Sequence, residues 1–419
     1  MPWKESHVVE ERFRWMREYE EGSESLAELC RKYSISRKTA YKWLERYQQI
    51  GAGGLMDRSS APLQCPTRIS AMVEQAVLEA RRQHPRWGPK KLKGWLTLRD
   101  PGQPWPAAST IGAILTRHQM TSRRRRRQRA ELAPSPLLHA QAPNDVWSID
   151  FKGWFRCGDR QRCDPLTVSD AYSRYLLCCR DVARTDTAHA QAVLRELFGE
   201  YGLPDRIRSD NGPPFSARGG LSELSVWWLR LGILPERIDP GEPQQNGRHE
   251  RMHRTLKEET QQPPAANRKA QQESFERFVR EYNDERPHEA LGQRPPAEFY
   301  ACSARGYPAQ LPEMEYPSGF EVRQADEGGK IRWKQARSKL GRVLANQLIG
   351  IETVADGLQH IWFGRQLLGV LDEQRARSGA RRRRDGYWPP LQSPSGLLTR
   401  RPAAVAPGLS DKVLPRSVE

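Results

Sequence analysis

The chain has 419 residues, 37% hydrophobic and 28% charged, which at roughly 100–200 residues per domain predicts two to four domains with real cores under a very polar surface. Its 68 Lys and Arg against 51 Asp and Glu leave a net charge of +17, favouring a polyanionic partner, nucleic acid first. No apolar run approaches the ~20 residues of a bilayer span and Met1-Pro2-Trp3-Lys4-Glu5 has no secretory apolar segment, so a membrane partner is not expected and a cytoplasmic, nucleoid-associated protein is.

Residues 1–60 read as helices. Ser25-Leu26-Ala27-Glu28 fits a capping box, in which the Ser and Glu satisfy each other's backbone amides. Ser36 caps a second helix with Ala40, Trp43 and Leu44 inside and Arg37, Lys38, Thr39, Tyr41 and Lys42 outside. Two short helices with a tight turn and a basic second helix match a helix-turn-helix whose outer face suits phosphates and base edges. Gly- and Pro-containing linkers follow. Residues 61–120 read as a second, helix-turn-helix-like DNA-binding unit, with Pro89 in the first turn of the helix that carries Lys90 and Lys91. Arg123, Arg124, Arg125, Arg126 and Arg127 form a charge run in a linker over 121–142. Beside DNA-binding units, such a run tracks a phosphate backbone and makes binding salt-dependent.

From residue 143 to 302 the period changes. Val146–Phe151, Pro165–Ser169 and Tyr175–Arg180 read as strands, followed by a helix with Ala190, Val193, Leu194, Leu197 and Phe198 on one face. Arg206–Ser209 is a short strand ending at Asp210, Ser222–Leu231 is helical and Gly232–Ile238 extended. Gln244–Thr260 and Ser274–Asn283 are helices. This is an α/β layer pattern. Over 313–373, short alternating runs separated by Gly-containing turns predict a small β-barrel. The tail over 375–419 is basic and rich in Pro, Gly and Ser, the composition of a disordered segment. The seven cysteines are odd in number and scattered, so they are read as reduced thiols, with one of Cys178 and Cys179 pointing into a core.

Three carboxylates stand out by position: Asp150 near the end of the first strand, Asp210 ending the later one before an Asn-Gly turn, and Glu250 within a helix. They meet only through the fold. Hard Mg²⁺ takes oxygen ligands and few protein carboxylates, and two such ions serve an in-line displacement. No His or Cys cluster suited to zinc is visible in the sequence. At 100° per residue, Gly247, Glu250, Arg254 and Lys257 share a helix face opposite Met252 and Leu256. Arg254 and Lys257 would hold phosphates beside Glu250. Each acid also has an ordinary reading, as a turn residue, a helix cap or a solvated helix residue.

Taken together, Asn144-Asp145-Val146-Trp147-Ser148-Ile149-Asp150-Phe151, Asp170-Ala171-Tyr172-Ser173-Arg174, Pro204 to Gly212 with Phe215, Gln245 to Arg251, and Tyr282 to His288 resemble the insertion-sequence transposases that share the retroviral-integrase-like catalytic core. The resemblance covers about 144–300. It implies an RNase H-like fold and an acid triad of Asp150, Asp210 and Glu250 on two Mg²⁺ ions, with Mn²⁺ able to substitute. It implies a reaction in which water frees a 3′-hydroxyl at an element's end and that hydroxyl then attacks target DNA. Double-stranded DNA partners, as terminal inverted repeats and target, and a homo-oligomer on DNA follow by the same resemblance. One departure is the spacing, because Asp210 to Glu250 spans 250 − 210 = 40 positions, somewhat more than is common in the family.

The expected function is therefore DNA transposition, cleavage and strand transfer of insertion-sequence ends. The alternative is a catalytically silent helix-turn-helix regulator of transposition, against which the three acids argue. Duplex-reading modules argue against a nuclease of RNA–DNA hybrids, because A-form grooves are not read that way. An α/β core argues against a basic chromatin protein.

Overall fold

The computed structural model describes residues 8–58, 69–121, 140–210, 212–217, 220–238, 247–334 and 336–372. The chain separates into two compact units, Met1–Ser70 and Ala71–Glu419. In the first, α1 (Val8–Glu21), α2 (Leu26–Lys32) and α3 (Arg37–Ile50) lead into a 3-10 turn, Gly51–Leu55. The Ser25 amide donates to the Glu28 carboxylate at 2.8 Å, and Ser36 Oγ accepts from the Thr39 amide at 3.1 Å, so the orphan amides of two helix starts are met locally. Between them Ser34 takes the left-handed region, φ 53°, which turns the chain sharply. Trp15, Met16, Leu29, Cys30, Ala40, Trp43, Leu44 and Leu55 form the core. Arg37, Lys38, Tyr41 and Lys42 are exposed, whereas Thr39 is half-buried with its hydroxyl on Ser36 Oγ at 2.9 Å.

The second unit opens with α4 (Ala71–Gln83), α5 (Pro89–Arg99) and α6 (Ala108–Arg117). Its α/β part holds β1 (Val146–Phe151), β2 (Phe155–Arg156), β3 (Arg162–Asp170), β4 (Leu176–Val182), α7 (Thr187–Tyr201), β5 (Arg206–Ser209), α8 (Glu223–Arg230), β6 (Leu234–Arg237), α9 (Gly247–Thr260) and α10 (Arg268–Arg280). The strands make one sheet in the order β2-β3-β1-β5-β6, with β4 also on β3. The hairpin strands β1, β3 and β4 are antiparallel, while β1, β5 and β6 are parallel, as helical crossovers require.

Alternation along the strands gives the sheet two covered faces. On one, Trp147, Ile149, Leu166, Val168 and Cys178 pack with Leu194 and Phe198 of α7 and Trp227 and Trp228 of α8. On the other, Cys163, Leu176 and Cys179 pack with Met252 and Leu256 of α9 and Phe275 and Phe278 of α10. Both Cys178 and Cys179 are therefore buried, one in each core, rather than only one. The six described cysteines are free thiols; Cys65 lies outside the described residues.

Several residues of the recognisable motifs do structural work. Asp170, 1% exposed, accepts from the amides of Asn144 and Ser173. Asn144 in turn bonds the Trp147 indole and the Tyr300 hydroxyl. After α10 comes a π turn, Glu281–Glu285, carrying Asn283. Its Oδ1 accepts from the Leu176 amide at 2.8 Å and its Nδ2 donates to the Leu176 carbonyl at 2.9 Å, tying this turn to the start of β4.

The barrel expected over 313–373 is not what the described strands build. β7 (Glu321–Gln324), β10 (Leu348–Ala355), β11 (Leu358–Phe363) and β12 (Gln366–Asp372) form an open sheet in the order β12-β11-β10-β7, and β8 (Lys330–Trp333) pairs only with β9 (Ala336–Lys339). The physical reason is that their apolar faces close on something else: Ile331, Ile349, Ile351, Ile361 and Phe363 share a core with Val226, Leu229 and Leu234 of α8 and β6. A sheet covered by another layer has no need to close on itself. The Arg123–Arg127 run and the 375–419 tail lie outside the described residues. Among the described residues no helix is long and apolar enough to cross a membrane.

Replacing Asn283 by Ala strips both bonds from the Leu176 backbone, and leaving such buried groups unpaired costs about 1–3 kcal/mol each. We expect a clear fall in the urea midpoint of Asn283→Ala. Asn283→Asp, which still accepts from the Leu176 amide, should fall between it and wild type.

Candidate active site

β1 and β5 run parallel with Val146 beside Arg206, Trp147 beside Ile207 and Ser148 beside Arg208. Continued by two residues, that register sets Asp210 next to Asp150 at the carboxyl ends of neighbouring strands, which lie about 4.8 Å apart. Asp150 shares the α9-side face with Ser148, and across the hairpin it pairs with Thr167 of β3. Its carboxyl is pushed up to about 7, by burial first and then by the like charge of Asp210, with Glu250 adding to the same effect; an amide hydrogen bond from Phe151 and the Lys152 ammonium oppose it. The Asp210 carboxylate accepts from the Gly212 amide at 3.1 Å. The sheet and α9 thus bring all three sequence-predicted acids into one electrostatic neighbourhood.

The helix α9 is held there by a polar clamp that the sequence reading missed. Its buried stripe is His249, Met252, His253, Leu256 and Thr260, at helical spacing, which leaves Glu250, Arg254 and Lys257 exposed. Thr167 Oγ1 lies 2.7 Å from Nε2 of both His249 and His253, and it donates to the Asp150 carbonyl at 3.1 Å. His249 Nδ1 is 2.9 Å from Ser169 Oγ. A hydroxyl has one proton and two lone pairs, so a Thr167 that donates to Asp150 accepts from both Nε2–H groups. That tautomer turns the Nδ1 lone pair of His253 toward Asp150 Oδ2, 3.8 Å away. Burial pushes His249 down to about 3 and His253 to about 2, so both rings are neutral at neutral pH.

The expectation that no histidine cluster exists is thereby corrected. Asp150, His249 and His253 bring ligand-type atoms within 4.8 Å of one another. The signal was present as His-x3-His, one helical turn apart, but periodicity assigns that stripe to Met252 and Leu256. The Thr167 hydroxyl occupies the point between the two Nε2 atoms, so the two rings are spent on positioning and are not jointly aimed at an ion.

Residues 140–243 match one family of integrase core domains and residues 231–296 another. Residues 11–62 match a helix-turn-helix domain and residues 39–115 a homeodomain-like domain. A 39.2 kDa protein of insertion element IS476 from Xanthomonas euvesicatoria is 26% identical over 68% of this chain and 80% of its own. A 31.7 kDa protein of insertion element IS407 from Burkholderia multivorans is 30% identical over 43% of this chain and 63% of its own. The solved HTLV-2 integrase catalytic core in complex with magnesium is 13% identical, covering 39% of this chain and 99% of that one with a TM-score of 0.32.

The chain carries an integrase core domain. Within that core the basic residues around α9 separate into two kinds. Arg254 and Lys257 are exposed. Lys152, directly after the strand of Asp150, is half-buried; its ammonium is lowered by burial first and then by the like charge of Lys257. Lys152 carries no expectation from the sequence; Arg174, Arg248 and Arg251 belong to the recognisable motifs and crowd one another beside the start of α9.

Lys90 and Lys91 fare differently from the expectation that both face DNA. Lys90 pairs with Glu289 at 2.8 Å. Lys91 is half-buried and pushed down to about 8, by burial first and then by Arg286. The helix α5 packs onto the integrase core so tightly that a Cβ on Gly94 would stand 2.9 Å from Cβ of Gln293, and His84, stacked on Trp87 at 3.7 Å, reaches Glu281 at 3.0 Å. Lys91 on that seam is therefore partly covered by protein, whereas Lys90 stays exposed beside Glu289.

The raised carboxyl of Asp150 has a signed consequence. A carboxyl whose folded value lies above its unfolded 3.8 contributes stability below that value, which is lost as pH rises through about 7. Removing the neighbouring charge matters only when Asp150 is ionised. Without divalent metal, Asp210→Asn should therefore raise the melting temperature at pH 8, by about 2–4 °C per kcal/mol of repulsion relieved, and much less at pH 5. An equal change at both pH values would mean that the two acids do not interact.

Proposed function

We propose that the protein is a DNA transposase that cleaves insertion-sequence ends and joins them to target DNA, with Asp150, Asp210 and Glu250 as its metal-binding acids. The observation that carries this reading is the electrostatic proximity of three acids, on β1, just after β5 and on α9, within the stretch that matches integrase core domains. The donor set fits a hard divalent cation: all three groups are carboxylates, and the burial and like-charge crowding that raise Asp150 disfavour a negative charge that such a cation would stabilise. Two bound Mg²⁺ or Mn²⁺ ions would supply positive charge to the attacking and leaving oxygens of a phosphodiester.

The chain's own residues do the rest. Exposed Arg254 and Lys257 and the adjacent Lys152 present cations to the phosphates flanking the reacting bond. The Thr167–His249–His253 clamp fixes α9, and so Glu250, against the sheet. In the first unit, Arg37, Lys38, Tyr41 and Lys42 lie on the exposed face of α3, the element that would enter a major groove; the Arg123 to Arg127 run, farther along the chain, would add sequence-independent phosphate contacts. Double-stranded DNA, both element ends and target, is the partner, and joining two ends calls for a homo-oligomer on DNA. The silent-regulator reading shares the DNA contacts and gives no role to the three acids.

The test is strand transfer by the purified protein on labelled duplexes carrying the ends of the flanking element, with Mg²⁺ or EDTA. Wild type should give metal-dependent joined product. Asp150→Asn, Asp210→Asn and Glu250→Gln should each fall to the EDTA level while keeping end binding. A wild type that binds ends and never cleaves or joins under Mg²⁺ or Mn²⁺ would overturn the proposal in favour of the regulator. In the same binding assay, Arg37→Ala combined with Lys42→Ala should weaken end DNA more than random DNA; equal losses would remove α3 from sequence reading.

A further inference from the structure

Trp154 is the largest side chain that the integrase core leaves in solvent, 56% exposed, and the proposed chemistry gives it no task. It lies four residues after Asp150 and two after Lys152, on the approach to the β2–β3 ribbon. An isolated exposed apolar residue needs no explanation, but this one is presented by a pinned scaffold. Just beyond it, Phe155 packs edge-on against Phe275 of α10. The Gly158 and Asp159 amides donate to the Ala265 and Ala266 carbonyls at 2.9 and 2.8 Å. Cys157 and Cys163 are buried in the core beneath. The ribbon that Trp154 leads into is therefore anchored to the core.

Its surroundings are cationic. Arg156 and Arg162 face each other across the ribbon, and their guanidinium carbons lie 5.8 and 5.2 Å from the Trp154 ring centroid. Arg162 is fixed in turn by a two-pronged bond to Asp164 at 2.6 and 2.7 Å. Between residues 152 and 164 the chain carries Lys152, Arg156, Arg160 and Arg162 against two acids, Asp159 and the Asp164 that holds Arg162. An aromatic face flanked by arginines on a basic strip is the physical recipe for stacking a nucleobase while the cations hold its backbone. A protein partner would have to bury this cluster against acidic groups; a nucleic acid supplies both the flat ring and the phosphates.

We propose that Trp154, with Arg156 and Arg162, is a stacking platform for an unpaired base of DNA next to the bond being cut or joined. The proposal rests on the transposase reading above. The platform is sequence-tolerant, because every base offers a ring face, and it serves to hold a frayed strand end beside Asp150.

The test uses the full-length protein with Ca²⁺ and a forked duplex whose unpaired 3′ end carries 2-aminopurine, the probe base. The chain has 13 tryptophans, so the probe's emission rather than the protein's is read, and binding is followed separately by anisotropy of a dye on the far end. Wild type should quench the 2-aminopurine several-fold on binding. Trp154→Ala should bind within about threefold of wild-type affinity, melt at the same temperature because its ring is exposed, and lose the quench; Trp154→Phe should restore most of it. Binding without quenching by wild type, or equal quenching by Trp154→Ala, overturns the platform, leaves the transposase reading standing and points to a protein partner for this surface. No DNA binding at all would sink both.

Discussion

A half-buried carboxylate beside two others is unfavourable by itself, and much of the integrase core serves to hold that arrangement. Asp150 ionises only near pH 7 because burial and the neighbouring Asp210 and Glu250 disfavour its charge. Like charges do not gather without a stiff frame. Here the frame is the parallel register of β1 and β5, fixed by main-chain hydrogen bonds, which brings Asp150 and Asp210 to the same end of neighbouring strands. A cation bound between them would turn repulsion into affinity, so the unfavourable geometry and the proposed chemistry are one feature.

The third acid comes from a helix, and a helix can slide where a paired strand cannot. The core answers with two neutral histidines on one hydroxyl. Thr167 accepts from His249 and His253 and donates to the carbonyl of Asp150 itself, so the strand that carries the first acid and the helix that carries the third meet at a single oxygen. Burial keeps both rings neutral; a charged pair there would add repulsion and lose one of the acceptors that the network needs. Around this seam the exposed cations Arg254 and Lys257 are left to solvent, where a phosphate backbone can reach them.

Elsewhere the second unit is built by covering one layer with the next. The helices α4 to α6 seat α5 against the 281–294 segment, and the C-terminal sheet closes its apolar face on α8 and β6. The integrase core is thus the common support of both additions. The three-helix unit at the N-terminus has its own core and keeps the basic face of α3 open.

Sequence periodicity and capping chemistry settled the local elements: β1, β3 to β6, α7 to α9 and the capped helices α2 and α3 are legible because their apolar spacing and first-turn residues act over a few neighbours. The three acids were legible too, as residues at strand ends and on a helix face within recognisable motifs. What only the tertiary structure decided depends on residues far apart in the chain. The two-residue strand β2 is too short to carry a period. The open C-terminal sheet differs from the expected barrel because its lid, α8, lies about a hundred positions earlier. Lys91 reads as a surface cation until the packing of α5 buries it. His249 and His253 read as polar helix residues until Thr167, some eighty positions away, gives them a reason to be inside. Local sequence reports which groups prefer water, but whether a polar group is buried is set by whether a distant partner satisfies it, and that partner is named only by the fold.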